Sequence, residues 1–291
     1  MGSSSLNPVF VGGTGRSGST IVGDLLDHHP AITVTIPMEV RFITGNNGIA
    51  DALAKAGKPA GLKAAELAVD RIHNRWFFRT ENVGLHTSMS REFVTETTDR
   101  YLAHFENSPQ HASQVLVYSI MEKVALGCDA ERWVDTTPAN ARKANLITPI
   151  YPEHKVIVMV RDGRDVAASF VHQDFGPSDV FEAVALWEKR MIKSDQAVKR
   201  CAAGVVLTLD LQDLVVTERD ASLDLILEHC ELEDSLEMRD WFNARVTPDG
   251  AHAGRWRRDF DDSTCAVIDK VYSDSCDRLR ELGISIPASG E

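Results

Sequence analysis

From Gly13 to Thr20 the chain reads GTGRSGST. The spacing of Gly13, Gly18 and Thr20 fits the phosphate-loop pattern G-x-x-x-x-G-K-[ST], but Ser19 stands where the lysine belongs and an arginine, Arg16, appears earlier. Glycines let a backbone close around an anion, and a helix starting at such a loop offers unpaired N–H groups and the positive end of its dipole. Ser17, Ser19 and Thr20 add hydroxyl donors, and Arg16 adds a planar fork that can grip two oxygens. This set suits a phosphate ester. It suits triphosphate chemistry less well, because there the loop lysine reaches the β- and γ-phosphates and magnesium bridges them. A glycine-rich turn without a ligand is the alternative.

A second basic cluster, 161-RDGRDVAAS-169, places Arg161 at the end of an apolar run and Ser169 eight residues later. A guanidinium and a hydroxyl so placed can clamp a second phosphate. Alternatively, the stretch is a solvated helix start in which Asp162 and Asp165 pair with the arginines.

Both clusters need strands to present them. The run 9-VFV-11 leads into the glycines and reads as a buried strand. Ile21, Val22, Leu25 and Leu26 then share one helical face that ends at Pro30. The stretch 31-AITVT-35 is a second strand, followed by a turn at 45-GNNG-48. Between about 50 and 130 the periodicity is helical, with Leu62, Ala65, Val69, Ile72 and Trp76 forming a core-facing stripe. The run 155-KVIVMV-160 is apolar throughout, as in a parallel sheet covered on both faces, and it feeds directly into Arg161. A helix over 179–200 capped by Ser178 or Asp179, a strand over 204–211, a helix around Leu223–Leu227 and an amphipathic helix over 264–284 complete the pattern. Strands alternating with helices predict an α/β fold, a parallel sheet with helices on both faces. The two clusters then share the C-terminal edge of that sheet, where open α/β folds bind ligands.

The 291 residues carry a formal net charge of −12, which disfavours a general nucleic-acid binder and makes local arginine clusters informative. No apolar run reaches membrane-spanning length, so no membrane association is expected. The N-terminal MGSSSLNP lacks the pattern of a secretory signal. Cys128, Cys201, Cys230, Cys265 and Cys276 are scattered, with no zinc spacing. A reducing, cytoplasmic setting and no bound metal are expected.

Taken in order, 15-GRSGST-20, 28-HHP-30, 135-DTTP-138, 152-PEHKVIVMVRDGR-164 and Ser169 resemble the motifs of sulfotransferases that use 3′-phosphoadenosine 5′-phosphosulfate (PAPS). The resemblance implies a fold like that of the P-loop nucleoside-triphosphate hydrolases. One sulfotransferase domain would span residues 1–291, with a helical acceptor-binding insertion at about 50–130. It implies that Arg16, Ser17, Gly18, Ser19 and Thr20 bind the 5′-phosphosulfate, and that Arg161 and Ser169 bind the 3′-phosphate. Since sulfuryl transfer needs no bridging magnesium, the missing lysine is no obstacle. The stretch 254-GRWRRDF-260 resembles the last cofactor motif and implies that Arg255 touches the nucleotide. The stretch 38-MEVR-41 resembles the E-x-R of the tyrosylprotein sulfotransferase branch, which implies Glu39 as base with Arg41 beside it. Arg16 is the group expected to stabilise the leaving phosphate. His28, His29, His86 and His172 are alternative bases, because histidine fills this role in other sulfotransferases.

Two positions depart from the family pattern. No lysine stands beside 135-DTTP-138, and Leu211 takes the place of an expected adenine-stacking tyrosine. The acceptor is a small molecule, carbohydrate or peptide carrying a hydroxyl or amine; the sequence selects neither among these nor an oligomeric state. A P-loop small-molecule kinase, with Asp210 holding magnesium, and a non-catalytic nucleotide-binding module are the competing readings.

Overall fold

In the computed structural model, the structure describes residues 7–35, 38–126 and 132–288. Residues 1–6 and Cys128 lie outside these. The five strands are β1 (Val9–Gly13), β2 (Ile32–Val34), β3 (Arg132–Asp135), β4 (Lys155–Val160) and β5 (Val206–Asp210). They form one sheet in the order β2-β3-β1-β4-β5, and every neighbouring pair is parallel. This is the α/β architecture expected.

Alternation along the strands divides the core between the two faces. Val9 and Val11 of β1, with Val134, Ile157 and Met159, pack against Val22, Leu25 and Leu26 of the helix Ser19–Asp27 and against Leu223 and Ile226. Phe10, Trp133, Val156 and Val158 point the other way, into helices that include Leu116, Val117 and Ile120. On this face Phe10 meets Trp133 edge-on with centroids 5.3 Å apart. A third cluster joins the helix Gly163–Phe170 to Val180–Val198 and Asp262–Glu281 through Trp187 and Tyr272.

Two elements differ from the sequence reading. The strand β3 was not anticipated, since only Trp133 and Val134 are apolar in its four residues and an arginine and an aspartate close it off. The stripe over 62–76 belongs to two elements: a helix over Gly61–Arg71 runs into a π-turn over Ile72–Trp76. The extra residue of a π-turn shifts side chains around the axis, and such turns recur at functional sites. Here the turn carries Arg75 and Trp76.

Candidate active site

The loop after β1 is shaped by its glycines. Gly18 has φ 96° and caps the helix Ser19–Asp27, a conformation that costs any residue with a Cβ. A Cβ on Gly18 would also meet Leu211 Cδ1 at 2.7 Å. Arg16 adopts φ 57°, although it is not a glycine.

The turn after β4 is locked from below. Asp162 accepts the Arg164 N–H at 2.8 Å and so caps the helix Gly163–Phe170. Trp187 Nε1 donates to the Arg161 carbonyl at 3.1 Å. Gly163 is required by contact with the same ring, because a Cβ there would lie 2.6 Å from Trp187 Cδ2. Asp165 accepts the N–H groups of Gly254 at 2.9 Å and Trp256 at 3.2 Å, fastening the 254–256 turn to this helix. Arg164 faces the core: it pairs with Asp162 at 2.6 Å and with Asp269, between the rings of Trp256 and Tyr272.

The two turns touch. Arg16 Nε donates to Ser169 Oγ at 2.9 Å, and Arg161 Nη1 donates to the Arg16 carbonyl at 3.1 Å. Arg161 Nη2 also donates to the His252 carbonyl at 2.8 Å and lies 3.4 Å from Asp165. Burial pushes the Arg161 guanidinium down, and Asp165 opposes that shift.

Around these turns opens a cavity of about 680 Å³. Its wall includes Arg16, Gly18, Ser19 and Thr20 from the loop, and Arg161, Ser169, Arg255 and Glu39 from elsewhere. Ser17 is fully buried behind the loop, and among the described residues its hydroxyl has no hydrogen-bond partner. Arg255 pairs with Asp259 at 2.8 Å, and Trp256 is buried in the core as a packing residue. Leu211 is in the wall.

Glu39 is held by the strand that the sequence reading missed. Asp135, at the end of β3, accepts the Val40 N–H at 2.7 Å, and the Thr136 N–H and hydroxyl both donate to the Met38 carbonyl, at 2.8 and 2.9 Å. Both peptide units flanking Glu39 are thus anchored, while its side chain is 29% exposed and paired with Arg41. Of the four histidines, none is in the cavity wall. His28 stacks on Trp241, His29 bonds the Glu233 carbonyl, His86 the Phe77 carbonyl, and His172 pairs with Asp259.

Asp135 is fully buried, and burial raises its carboxyl from 3.8 to about 6, although Asn140, Val40 and Thr137 donate to it. A folded-state value above the unfolded one contributes stability that is complete below pH 3.8 and is lost as pH rises through about 6. That interval corresponds to about 3 kcal/mol. Asp135→Asn cannot titrate and carries only a pH-independent cost. Relative to the parent, the variant should therefore gain on the order of 3 kcal/mol between pH 4 and pH 7 in urea unfolding. An unchanged difference between the two proteins at both pH values would refute the assignment.

Sequence reasoning missed four arginines of the wall: Arg71, Arg75, Arg142 and Arg190. Arg190 donates to the Thr14 carbonyl in the loop and lies over the Phe170 ring at 5.2 Å. Burial and the neighbouring Arg142 push the Arg190 guanidinium down to about 10. The sequence marks none of the four, since each stands on a helix or turn where an arginine reads as a solvated charge.

Among the described residues, no group of three or more metal-ligating side chains could hold a metal ion. No helix among them is long and apolar enough to cross a membrane.

The sulfotransferase family profile matches residues 8–236. No curated protein sequence matches the chain at a significant level. Among solved structures, the sulfotransferase domain of the olefin synthase of Synechococcus PCC 7002 superposes with a TM-score of 0.54 at 16% identity, covering 97% of this chain and 96% of that one. The sulfotransferase domain of the curacin biosynthetic pathway gives 0.53 at 14% identity, covering 97% and 99%. A sulfotransferase of Mycobacterium avium gives 0.51 at 11% identity, covering 98% and 79%. At these identities the likeness is one of fold.

Proposed function

Because the chain belongs to the sulfotransferase family, we propose that its cavity takes PAPS and transfers the sulfuryl group to a hydroxyl or amine of an acceptor. The observation that carries this reading is the contact between the two arginine turns. Arg161 reaches the Arg16 carbonyl, and Arg16 reaches Ser169, so one doubly phosphorylated nucleotide can be gripped from both motifs. The wall fits such a ligand. It offers the N–H groups that open the helix Ser19–Asp27, the hydroxyls of Ser19 and Thr20, and several guanidiniums.

In this reading PAPS supplies an activated sulfuryl group, and the protein supplies positioning and charge. Ser17 to Thr20 hold the 5′ end, Arg161 and Ser169 hold the 3′-phosphate, and Arg255 borders the nucleotide. Glu39 takes the acceptor proton, and Arg16 faces the charge that develops on the departing phosphate. Arg190, joined to the loop at Thr14, stands in for the lysine absent beside 135-DTTP-138. The closer likeness to the tyrosylprotein branch rests on 38-MEVR-41 alone. A reducing, cytoplasmic setting remains part of the proposal.

The kinase reading requires Asp210 to face the ligand. Asp210 is absent from the wall, and its two oxygens accept the N–H groups of Gln212 and Ala288. Labelled PAPS in EDTA, offered a broad acceptor panel, should give transfer, whereas magnesium-dependent ATP turnover would favour the kinase. Arg161→Ala should weaken PAP binding by more than about 1.5 kcal/mol, the value of a charged hydrogen bond. An unchanged affinity by calorimetry would take Arg161 out of the site.

A further inference from the structure

The cavity wall carries positive charge that the cofactor motifs do not account for. Among the described residues, eight arginines line it against one carboxylate, Glu39, in a chain of net charge −12. Three of the eight, Arg41, Arg161 and Arg255, are paired with Glu39, Asp165 and Asp259. Arg16 and Arg190 are tied to the loop and its neighbour Ser169.

The other three are Arg71 and Arg75, from the helix-to-π-turn segment, and Arg142, from the turn after β3. Among the described residues their guanidiniums make no hydrogen bond and no ion pair. Arg71 Nε is buried without a partner. The acid that acts on Arg142 is Asp51, which is already paired with Lys143 Nζ at 2.6 Å and accepts the Asn47 N–H at 2.8 Å. Burial pushes the Arg142 guanidinium down, as expected of a cation short of counter-charge. Arg71 and Arg142 are half-buried and Arg75 is exposed at the cavity's edge; half-buried guanidiniums that find no partner among the described residues favour an anion from outside, and Arg75 adds charge beside them. Arg71 and Arg75 stand four residues apart, and Trp76 completes their side of the wall. A neutral aromatic acceptor resting on Trp76 would leave the half-buried Arg71 and Arg142 without an anion.

We infer that the acceptor is itself an oxyanion: a hydroxyl compound bearing a carboxylate, phosphate or sulfate group that Arg71, Arg75 and Arg142 hold while the hydroxyl faces Glu39. This rests on the reading of the cavity as a PAPS-dependent transfer site. The reacting bonds are the same for any such acceptor. The bond from sulfur to the 5′-phosphate oxygen breaks, a bond from sulfur to the acceptor oxygen forms, the acceptor proton passes to Glu39, and PAP departs with the bonding pair.

The test uses the whole chain saturated with PAP. Calorimetric titration with glucose, glucose 6-phosphate, glucose 6-sulfate and glucuronate compares one scaffold with and without each anion. At least one anion should bind tighter than glucose by about tenfold or more, the factor supplied by one charged hydrogen bond. Which anion wins identifies the group. Because PAP leaves the sulfuryl position open to a small oxyanion, the assignment needs variants. Arg71→Gln with Arg75→Gln should abolish the preference while PAP affinity stays unchanged. Equal or absent binding of all four sugars to the PAP-loaded protein overturns the inference and leaves the PAPS reading standing. So does a preference that survives in the variant, or a loss of PAP affinity that makes these arginines nucleotide ligands. Failure of the parent to bind PAP at all overturns both.

Discussion

Arg16→Ala is expected to lower kcat for sulfuryl transfer by about 100- to 1,000-fold, the effect of removing a donor aimed at developing charge, while weakening PAP binding far less. The Nε of Arg16 is committed to Ser169 Oγ at 2.9 Å, which leaves its two terminal nitrogens for a ligand. Its backbone, at φ 57°, is held in the left-handed region at a cost of about 1–2 kcal/mol for a side chain with a Cβ. Strain of this kind gathers at ligand-gripping turns. The same conformation provides a control. Arg16→Gly removes the side chain and relieves the backbone, so if the alanine variant failed through loop collapse, glycine would restore much of the rate. If charge is what matters, the two variants fall together. Arg16→Lys keeps the charge, lacks the fork, and should recover part of the rate. Steady-state kinetics on the three variants, with PAP affinity measured alongside, decide the question. An alanine variant within about fivefold of the parent in kcat would remove Arg16 from the chemistry.

The parts of the fold that the sequence displays are those with strong local periodicity. β1 and β4 are apolar runs buried on both faces, and the helix Ser19–Asp27 repeats its apolar residues at helical spacing. β3 gave no such signal, because its pairing with β1 and β2 is set by partners about a hundred residues away and not by its own four residues. Its loss hid the device that fixes Glu39, since Asp135 and Thr136 reach the 38–40 segment only once β3 is in place. Motif spacing did foretell that Arg16 and Arg161 would share one rim, because each follows a parallel strand. It could not foretell Arg71, Arg75, Arg142 and Arg190. A guanidinium on a helix reads as a solvated face until tertiary packing turns it toward a cavity, and no local pattern separates the two cases.

Glu39→Gln should reduce kcat by about 100- to 10,000-fold, the range for removing a positioned general base, with PAP affinity unchanged. Glutamine matches the shape of glutamate and keeps an oxygen to accept from Arg41, but it cannot take a proton. The prediction is sharp because the backbone there is over-determined. Asp135 holds the Val40 N–H, and Thr136 holds the Met38 carbonyl twice, so the variant cannot lose activity by letting the segment drift. The ion pair with Arg41 is half-exposed, and a surface pair of this kind contributes about 0–1 kcal/mol, too little to account for such a loss through stability. Arg41→Gln separates the remaining possibilities. If Glu39 serves only as a partner for Arg41, both variants should be equally mild. If Glu39 is the base, its variant falls by orders of magnitude more than that of Arg41. A Glu39→Gln enzyme retaining more than about a tenth of the parent kcat would send the search for the base elsewhere in the wall. The four histidines named from the sequence would not be the first candidates, since the fold turns each of them to another partner.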